Sequence, residues 1–256
     1  MMATKRKVAI QVAENIGDVR RLLKVLCDAS KPVAGRMAAL QSLGAAAFSV
    51  ANFDSVHADY IGALRQVSTA SHEQLRRRAL GILTRYKDGY AQKKLLDGLK
   101  DPAKALVPPE KALQLLGNDV HTEGYAAARA ILKKPPNKEA KHEALRLLAA
   151  DPKSAPLFEK VLRDKKELRE NRQLAASALH SLNPEKLQQQ ARRIMKDKSD
   201  YADIKATSLT ALEQFGDDAA LGKDKVLMQS VNRFRSGKTS AKNKQTARRF
   251  LNKYGQ

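Results

Sequence analysis

Residues 76–85, RRRALGILTR, and residues 110–119, EKALQLLGND, carry the same short pattern: Ala-Leu, two further residues, Leu, and a small residue. Ala, Leu and the second Leu stand at i, i+1 and i+4, which share one face of an α-helix. The small residue that follows, often Gly, is where a helix C-cap is expected. Each stretch therefore predicts an amphipathic helix that ends near the small residue.

The same pattern recurs along the chain at a nearly constant period. Its copies begin at Ala39, Ala79, Ala112, Ala144, Ala178, Ala211 and, in a divergent form, Phe250. Subtracting successive positions gives spacings of 40, 33, 32, 34, 33 and 39 residues. A second amphipathic segment lies between most copies, and proline-containing turns separate the two. Two helices repeated at this period predict an α-solenoid, in which each helix pair buries its apolar face against its neighbours.

Together with residues 170–183, ENRQLAASALHSLN, and 206–218, ATSLTALEQFGDD, these stretches resemble HEAT repeats. The resemblance covers roughly residues 30–255 and implies an all-α, right-handed α-α superhelix of about six to seven helix pairs. We expect one domain over residues 1–256. Within it, residues 1–30 form an N-terminal tail and capping helix, residues 31–222 form HEAT-like repeats, and residues 223–256 form an atypical basic terminal repeat. The architecture is also similar, more weakly, to AlkD-like DNA glycosylases, whose sites rely on Trp and a catalytic Asp; this chain has no Trp.

The composition favours a polyanionic partner. The 256 residues include 48 Lys and Arg against 27 Asp and Glu, a formal net charge of +21. A single cysteine, Cys27, excludes an intrachain disulfide, so we expect a cytoplasmic protein and a structural role for Cys27. No apolar run approaches the length of a membrane span. We expect a monomer with no evident small-molecule substrate.

Motifs for catalysis and cofactors are incomplete. Ser236-Gly237-Lys238-Thr239 resembles the end of a phosphate-binding loop, but Asn232 stands where that motif requires its first Gly. A turn between two helices explains Gly237 better. The histidines, including His121 and His142, lack the spacing of metal ligands. We therefore predict no catalytic residue, no metal and no cofactor.

Basic residues recur at equivalent places in the later repeats. In each of the last four copies a basic residue stands six residues before the first motif position. These residues, called the basic ladder below, are Lys138, Arg172, Lys205 and Lys244. From Lys225 to Gln256 there are nine Lys or Arg residues and no Asp or Glu. The predicted polyanion-binding residues are Lys138, Arg172, Lys205, Arg233, Arg235, Lys238, Lys242, Lys244, Arg248, Arg249 and Lys253, with Arg76, Arg77 and Arg78 as a second patch.

Three function classes remain open. The first is a non-enzymatic binding module that contacts the phosphate backbone of DNA or RNA through this basic surface. The second is a scaffold whose curved surface holds an acidic or helical protein partner. The recurring basic residues also have a structural interpretation, in which each bonds the turn before its helix. The third, implied by the weaker resemblance, is a base-excision DNA glycosylase.

Overall fold

The computed structural model describes residues 12–119, 122–216 and 218–255. These residues form fifteen α-helices with short connections and no β-strand, so the predicted all-α class is confirmed for them. The chain divides into two compact units, Met1–Ala127 and Ala128–Gln256. Residues 1–11 of the predicted N-terminal tail, His121 and the Asp217 of the sixth repeat copy lie outside the described residues.

The first unit is a two-layered stack of helices. Its helices are α1 (Ile16–Cys27), α2 (Val33–Ser49), α3 (His57–Val67), α4 (Glu73–Arg85), α5 (Gly89–Lys100) and α6 (Pro109–Leu116), and α7 (Thr122–Lys133) crosses the boundary between the units. Consecutive helices pack as pairs, as α1 with α2 and α3 with α4. Alternate helices also touch, α1 with α3, α2 with α4 and α4 with α6, which is the packing order of a solenoid.

The second unit repeats this arrangement. Its helices are α8 (Lys138–Leu148), α9 (Ala155–Arg163), α10 (Arg169–Leu182), α11 (Pro184–Lys196), α12 (Ala202–Phe215), α13 (Asp218–Lys223), α14 (Lys225–Ser236) and α15 (Ala241–Tyr254). The helices α9, α11 and α14 follow one another in one layer, and α8, α10, α12 and α15 form the other. The repeat pattern of the sequence thus corresponds to the order in which helices pack within each unit.

The Ala-Leu pattern supplies the core, as its spacing predicts. Ala144, Leu145 and Leu148 of α8 are completely buried, and Ala79, Leu80 and Leu83 of α4 are buried to the same extent. Alanine allows the backbones of neighbouring helices to approach, and leucine fills the remaining space. Leu145 is therefore a core residue of the second unit.

The last, divergent copy of the pattern also packs as a repeat helix. Ala247 and Phe250 of α15 are fully buried and Tyr254 is nearly so. They join a cluster with Leu212 of α12 and Val231 of α14. The C-terminal basic segment is therefore folded, and its apolar face is used for packing against the preceding helices.

The small residue after the pattern caps its helix in several copies, as expected, but not in all of them. Gly44 lies inside α2 and caps no helix, because that helix continues to Ser49. Gly117, Gly216 and Gly255 do cap their helices, but every described glycine has a negative φ. Glycine is required at Gly216 because a Cβ there would lie 2.4 Å from the backbone oxygen of Leu212.

Candidate nucleic-acid interface

Helix α14, the turn after it and α15 form the most basic part of the second unit. Asp224 caps α14 by accepting a hydrogen bond from the Leu227 amide at 3.0 Å. Gly237 ends that helix with a φ of −75°, and Ser240 caps α15 by accepting from the Asn243 amide at 3.2 Å. Residues 237–240 are thus a helix–helix turn, as predicted, and no strand precedes them in the described part of the chain.

A basic side chain recurs at the fourth residue of the pattern-bearing helices. Six of these seven helices carry one there, α6 being the exception; the residues are Arg36, Arg76, Lys141, Arg172, Lys205 and Lys244. Relative to the Ala-Leu pattern these residues do not align, because Arg36 stands three residues before its Ala and Arg172 stands six residues before its Ala. They coincide in the structure because α10, α12 and α15 begin nine residues before the pattern, whereas α2, α4 and α8 begin six before it.

Several of these fourth residues bond the end of the preceding helix. The Nε atom of Arg36 donates to the Leu26 oxygen at 2.9 Å, and that of Arg172 donates to the Leu162 oxygen at 2.8 Å. Arg76 instead donates to loop carbonyls, the Ala70 oxygen after α3 at 2.9 Å and the Leu106 oxygen before α6. Carbonyl groups in a helix's last turn lack partners within the helix and carry partial negative charge. The arginines at this position therefore satisfy carbonyl groups of the fold.

Arg172 is unsuited to the role that its position in the ladder predicted. Its side chain is 0% exposed, and its two terminal nitrogens donate to the two carboxylate oxygens of Asp200 at 2.7 Å each. An arginine with no accessible surface and a complete bidentate partner cannot contact an external phosphate. The candidate interface therefore excludes Arg172, and Arg76 is excluded because it bonds three carbonyl groups of the fold.

The remaining residues of the second patch belong to the first unit. Arg77 is exposed on α4 and pairs with Glu73 at 3.1 Å. Arg78 is exposed on the same helix. In the second unit, Lys138 is the exposed first residue of α8. None of these three lines the cleft described below.

The acid-free segment retains most of its charge unneutralised. Of its nine basic residues, Arg249 lies 3.5 Å from the Glu213 carboxylate, and Lys253 donates to the Glu213 backbone oxygen at 3.1 Å. The other seven make no ion pair with a carboxylate of the described residues; they are Lys225, Arg233, Arg235, Lys238, Lys242, Lys244 and Arg248. Six of the seven are exposed, and Lys244 is half-buried.

A cleft of about 320 Å³ lies where α14 and the 237–239 turn meet the start of α12. Three predicted residues line it, each from a different element: Lys205 of α12, Arg233 of α14 and Lys238 of the turn. Lys196 and Lys198, from the end of α11 and the loop after it, were not predicted and line it as well. Arg235 lies two residues from Arg233, about 200° around the helix axis, and therefore points away from the cleft.

The acidic side chains near this cleft are already engaged. Asp200 is the carboxylate in its lining, and both of its oxygens are held by Arg172. Asp197 pairs with Lys165, and Asp224 accepts from Lys196 at 2.8 Å. The cleft consequently presents Lys198, Lys205, Arg233 and Lys238, none of which forms an ion pair with a described carboxylate.

Lys205 is the most enclosed of these cations. Its Nζ atom donates to the Lys198 oxygen at 3.3 Å. Desolvation lowers the pKa of Lys205, and the nearby charges of Lys165 and Arg233 lower it further, while Asp197 and Asp200 oppose the shift. Lys205 and Arg233, which both line the cleft, are therefore close enough to repel each other, and a bound anion would reduce that repulsion.

Other kinds of site find little support in the described residues. No group of three or more His, Cys, Asp or Glu side chains in residues 12–119, 122–216 and 218–255 is placed to hold a metal ion. Burial raises the pKa of the Cys27 thiol, which disfavours the reactive thiolate. Among the same residues, no helix is both long enough and apolar enough to cross a membrane.

Comparisons with known proteins identify no family. No family model matches the chain, and no curated protein matches it. Among solved structures, the chain is similar to human deoxyhypusine hydroxylase in complex with glycerol, at 14% sequence identity and a TM-score of 0.40. The match covers 93% of this chain and 96% of that one.

Proposed function

We propose that this chain is a HEAT-like repeat protein that binds the phosphate backbone of nucleic acid through α14, the 237–240 turn and α15, without catalysing a reaction. The observation that carries the proposal is the group of seven basic side chains in these elements that form no ion pair with a described carboxylate. The apolar side of α15 is occupied by packing, so its charged side is left for a partner.

The chemistry of the surface favours backbone contact over base reading. Arg235, Lys242 and Arg248 are exposed cations, and cations of this kind neutralise phosphates without regard to sequence. Gln245 and Asn252 are also exposed on α15 and can add hydrogen bonds to phosphate or sugar oxygens. We therefore expect binding that depends strongly on salt and weakly on sequence.

A fluorescence-anisotropy titration of labelled duplex DNA, duplex RNA and single strands at several salt concentrations tests this proposal. The triple variant Arg235→Gln, Lys242→Gln, Arg248→Gln should bind more weakly, and its salt slope should fall by about 0.9 for each phosphate that the variant no longer neutralises. A matched control, Arg20→Gln, Lys93→Gln, Lys100→Gln, removes the same charge from exposed residues of the first unit. No binding of any nucleic acid at about 50 mM salt, or equal weakening in both triple variants, would contradict the proposal.

A second candidate function, a protein scaffold, is favoured by one feature of the first unit. Phe48 is 94% exposed and borders a groove of about 390 Å³ that Tyr60, Ile82 and Tyr86 also line. Exposed aromatic side chains over a groove are typical of protein-binding surfaces. In a pull-down after nuclease treatment, the parent chain should then retain one protein in a stoichiometric amount. Phe48→Ser should abolish that retention and leave nucleic-acid binding unchanged.

A further inference from the structure

The cleft between α12, α14 and the 237–239 turn has a geometry that a flat basic surface lacks. Lys205, Arg233 and Lys238 come from three separate elements and line one concavity, which Lys198 also borders. Arg235, Lys242 and Arg248 lie outside it. The cleft is therefore a distinct feature of the basic region.

The cleft also offers uncharged donors. The Oγ1 atom of Thr239 accepts a hydrogen bond from Asn243 Nδ2 at 2.9 Å, so its own hydroxyl hydrogen can be donated elsewhere. The backbone amides of Lys238 and Thr239 donate no hydrogen bond to any described residue. These groups stand just before α15, whose N-terminal end carries partial positive charge.

A buried ion pair keeps the cleft positive. Asp200 would otherwise place a negative charge in the lining, but Arg172 holds both of its oxygens from within the core. Lys196 is likewise occupied by Asp224, so the cations that remain available are Lys198, Lys205, Arg233 and Lys238. Each oxygen of a tetrahedral oxyanion can accept a charge-assisted hydrogen bond from such groups.

We propose that this cleft is a discrete phosphate-binding site, in which Lys205, Arg233 and Lys238 hold one phosphate group. In the context of the proposed function, that group is a phosphate of the bound nucleic acid, and the site fixes the position of the strand on the surface. A volume of about 320 Å³ accommodates a phosphate group together with part of the attached sugar or a few water molecules.

Calorimetric titration of the full chain with inorganic pyrophosphate tests the site without nucleic acid. The variant Arg233→Gln, Lys238→Gln should bind pyrophosphate at least about tenfold more weakly, because it removes two charge-assisted hydrogen bonds. The control Lys93→Gln, Lys100→Gln removes the same charge from a cleft of the first unit that also contains Asp97 and Glu123, and it should bind like the parent. Equal weakening in both variants, or no pyrophosphate binding by the parent, would overturn the site.

The source of the phosphate is distinguished with two oligonucleotides of one sequence. If the cleft takes a terminal phosphate, a 5′-phosphorylated strand should bind more tightly than its 5′-hydroxyl form, and Arg233→Gln, Lys238→Gln should remove the difference. If it takes a backbone phosphate, both strands should bind alike and lose affinity alike in that variant. Pyrophosphate binding in a chain that binds no nucleic acid would instead contradict the proposed function and leave the site in place.

Discussion

Arg172 and Asp200 form a buried bidentate ion pair, with both nitrogen–oxygen distances at 2.7 Å and exposures of 0% and 3%. The pair joins α10 to the loop before α12, so it ties one repeat to the next. The same arginine also satisfies the Leu162 oxygen at 2.8 Å. Its position in the basic ladder thus serves the fold and, through Asp200, the charge of the neighbouring cleft.

Arg172→Met should lower the free energy of unfolding by about 3–5 kcal/mol, because it leaves a buried carboxylate without its partner. Urea denaturation monitored by circular dichroism measures the change. Asp200→Asn introduced into this variant should recover part of the stability, since no buried charge then remains.

Arg77→Met is the matched control for that substitution. Arg77 also makes one ion pair, with Glu73, but 45% of its side chain is exposed and the pair lies on the surface of α4. Its removal should cost less than about 1 kcal/mol. Similar costs for Arg172→Met and Arg77→Met would contradict the role assigned to the buried pair.

Gly216→Ala should destabilise the second unit. The added Cβ would lie 2.4 Å from the Leu212 oxygen and 2.2 Å from Leu221 Cδ1, so the end of α12 must shift. Forcing extra volume into a packed site costs about 1–3 kcal/mol. Thermal or urea unfolding provides the measurement.

Gly44→Ala should instead raise the free energy of unfolding. Gly44 lies inside α2, and a Cβ there would meet no heavy atom within 4 Å. Alanine in a helix interior is favoured over glycine by about 0.5–1 kcal/mol. If both substitutions destabilised the chain equally, the close approach at Gly216 would not be the cause.

More of the fold than of the candidate site could be predicted from the sequence. The spacing of the Ala-Leu pattern located the core helices, because burial of one helix face leaves a periodic record in the residues. The register of the basic ladder was not recoverable in the same way, since it depends on where each helix begins. Arg172 and Arg36 align only when positions are counted from the first residue of each helix, and the residues at those helix starts do not mark that alignment.

The cleft could not be predicted from the sequence, because acidic residues stand among its lysines. In the sequence, Lys196 and Lys198 alternate with Asp197 and stand near Asp200, so this loop looks neutral. The structure pairs those two acids with Lys165 and Arg172, residues 32 and 28 positions earlier. Such pairings arise only when repeats stack, and they decide which lysines remain available to a partner.

Asp197→Asn should weaken the fold in a way that depends on pH. The Lys165 ammonium, followed by the Ser199 amide, lowers the pKa of Asp197 from 3.8 to about 2. A carboxylate whose pKa is lowered by folding contributes stability that is complete above its unfolded pKa, near pH 4, and is lost as the pH falls through its folded pKa, near 2. The parent should therefore be more stable than Asp197→Asn at pH 7, by less than about 1 kcal/mol because the pair is partly exposed. Urea denaturation at a series of pH values should show this advantage disappearing between about pH 4 and pH 2.

A double-mutant cycle with Lys165→Met separates this pair from general charge effects. If the ion pair causes the stabilisation, the two substitutions together should cost little more than either one alone, because each removes the same interaction. The coupling should be present at pH 7 and much smaller near pH 2, where the carboxylate is almost fully protonated in the unfolded state and about half protonated in the folded state. Additive costs at pH 7 would show that Asp197 acts mainly through its hydrogen bonds to Ser199 at 2.9 Å. A difference between parent and Asp197→Asn that does not change with pH would contradict any role for the carboxylate charge.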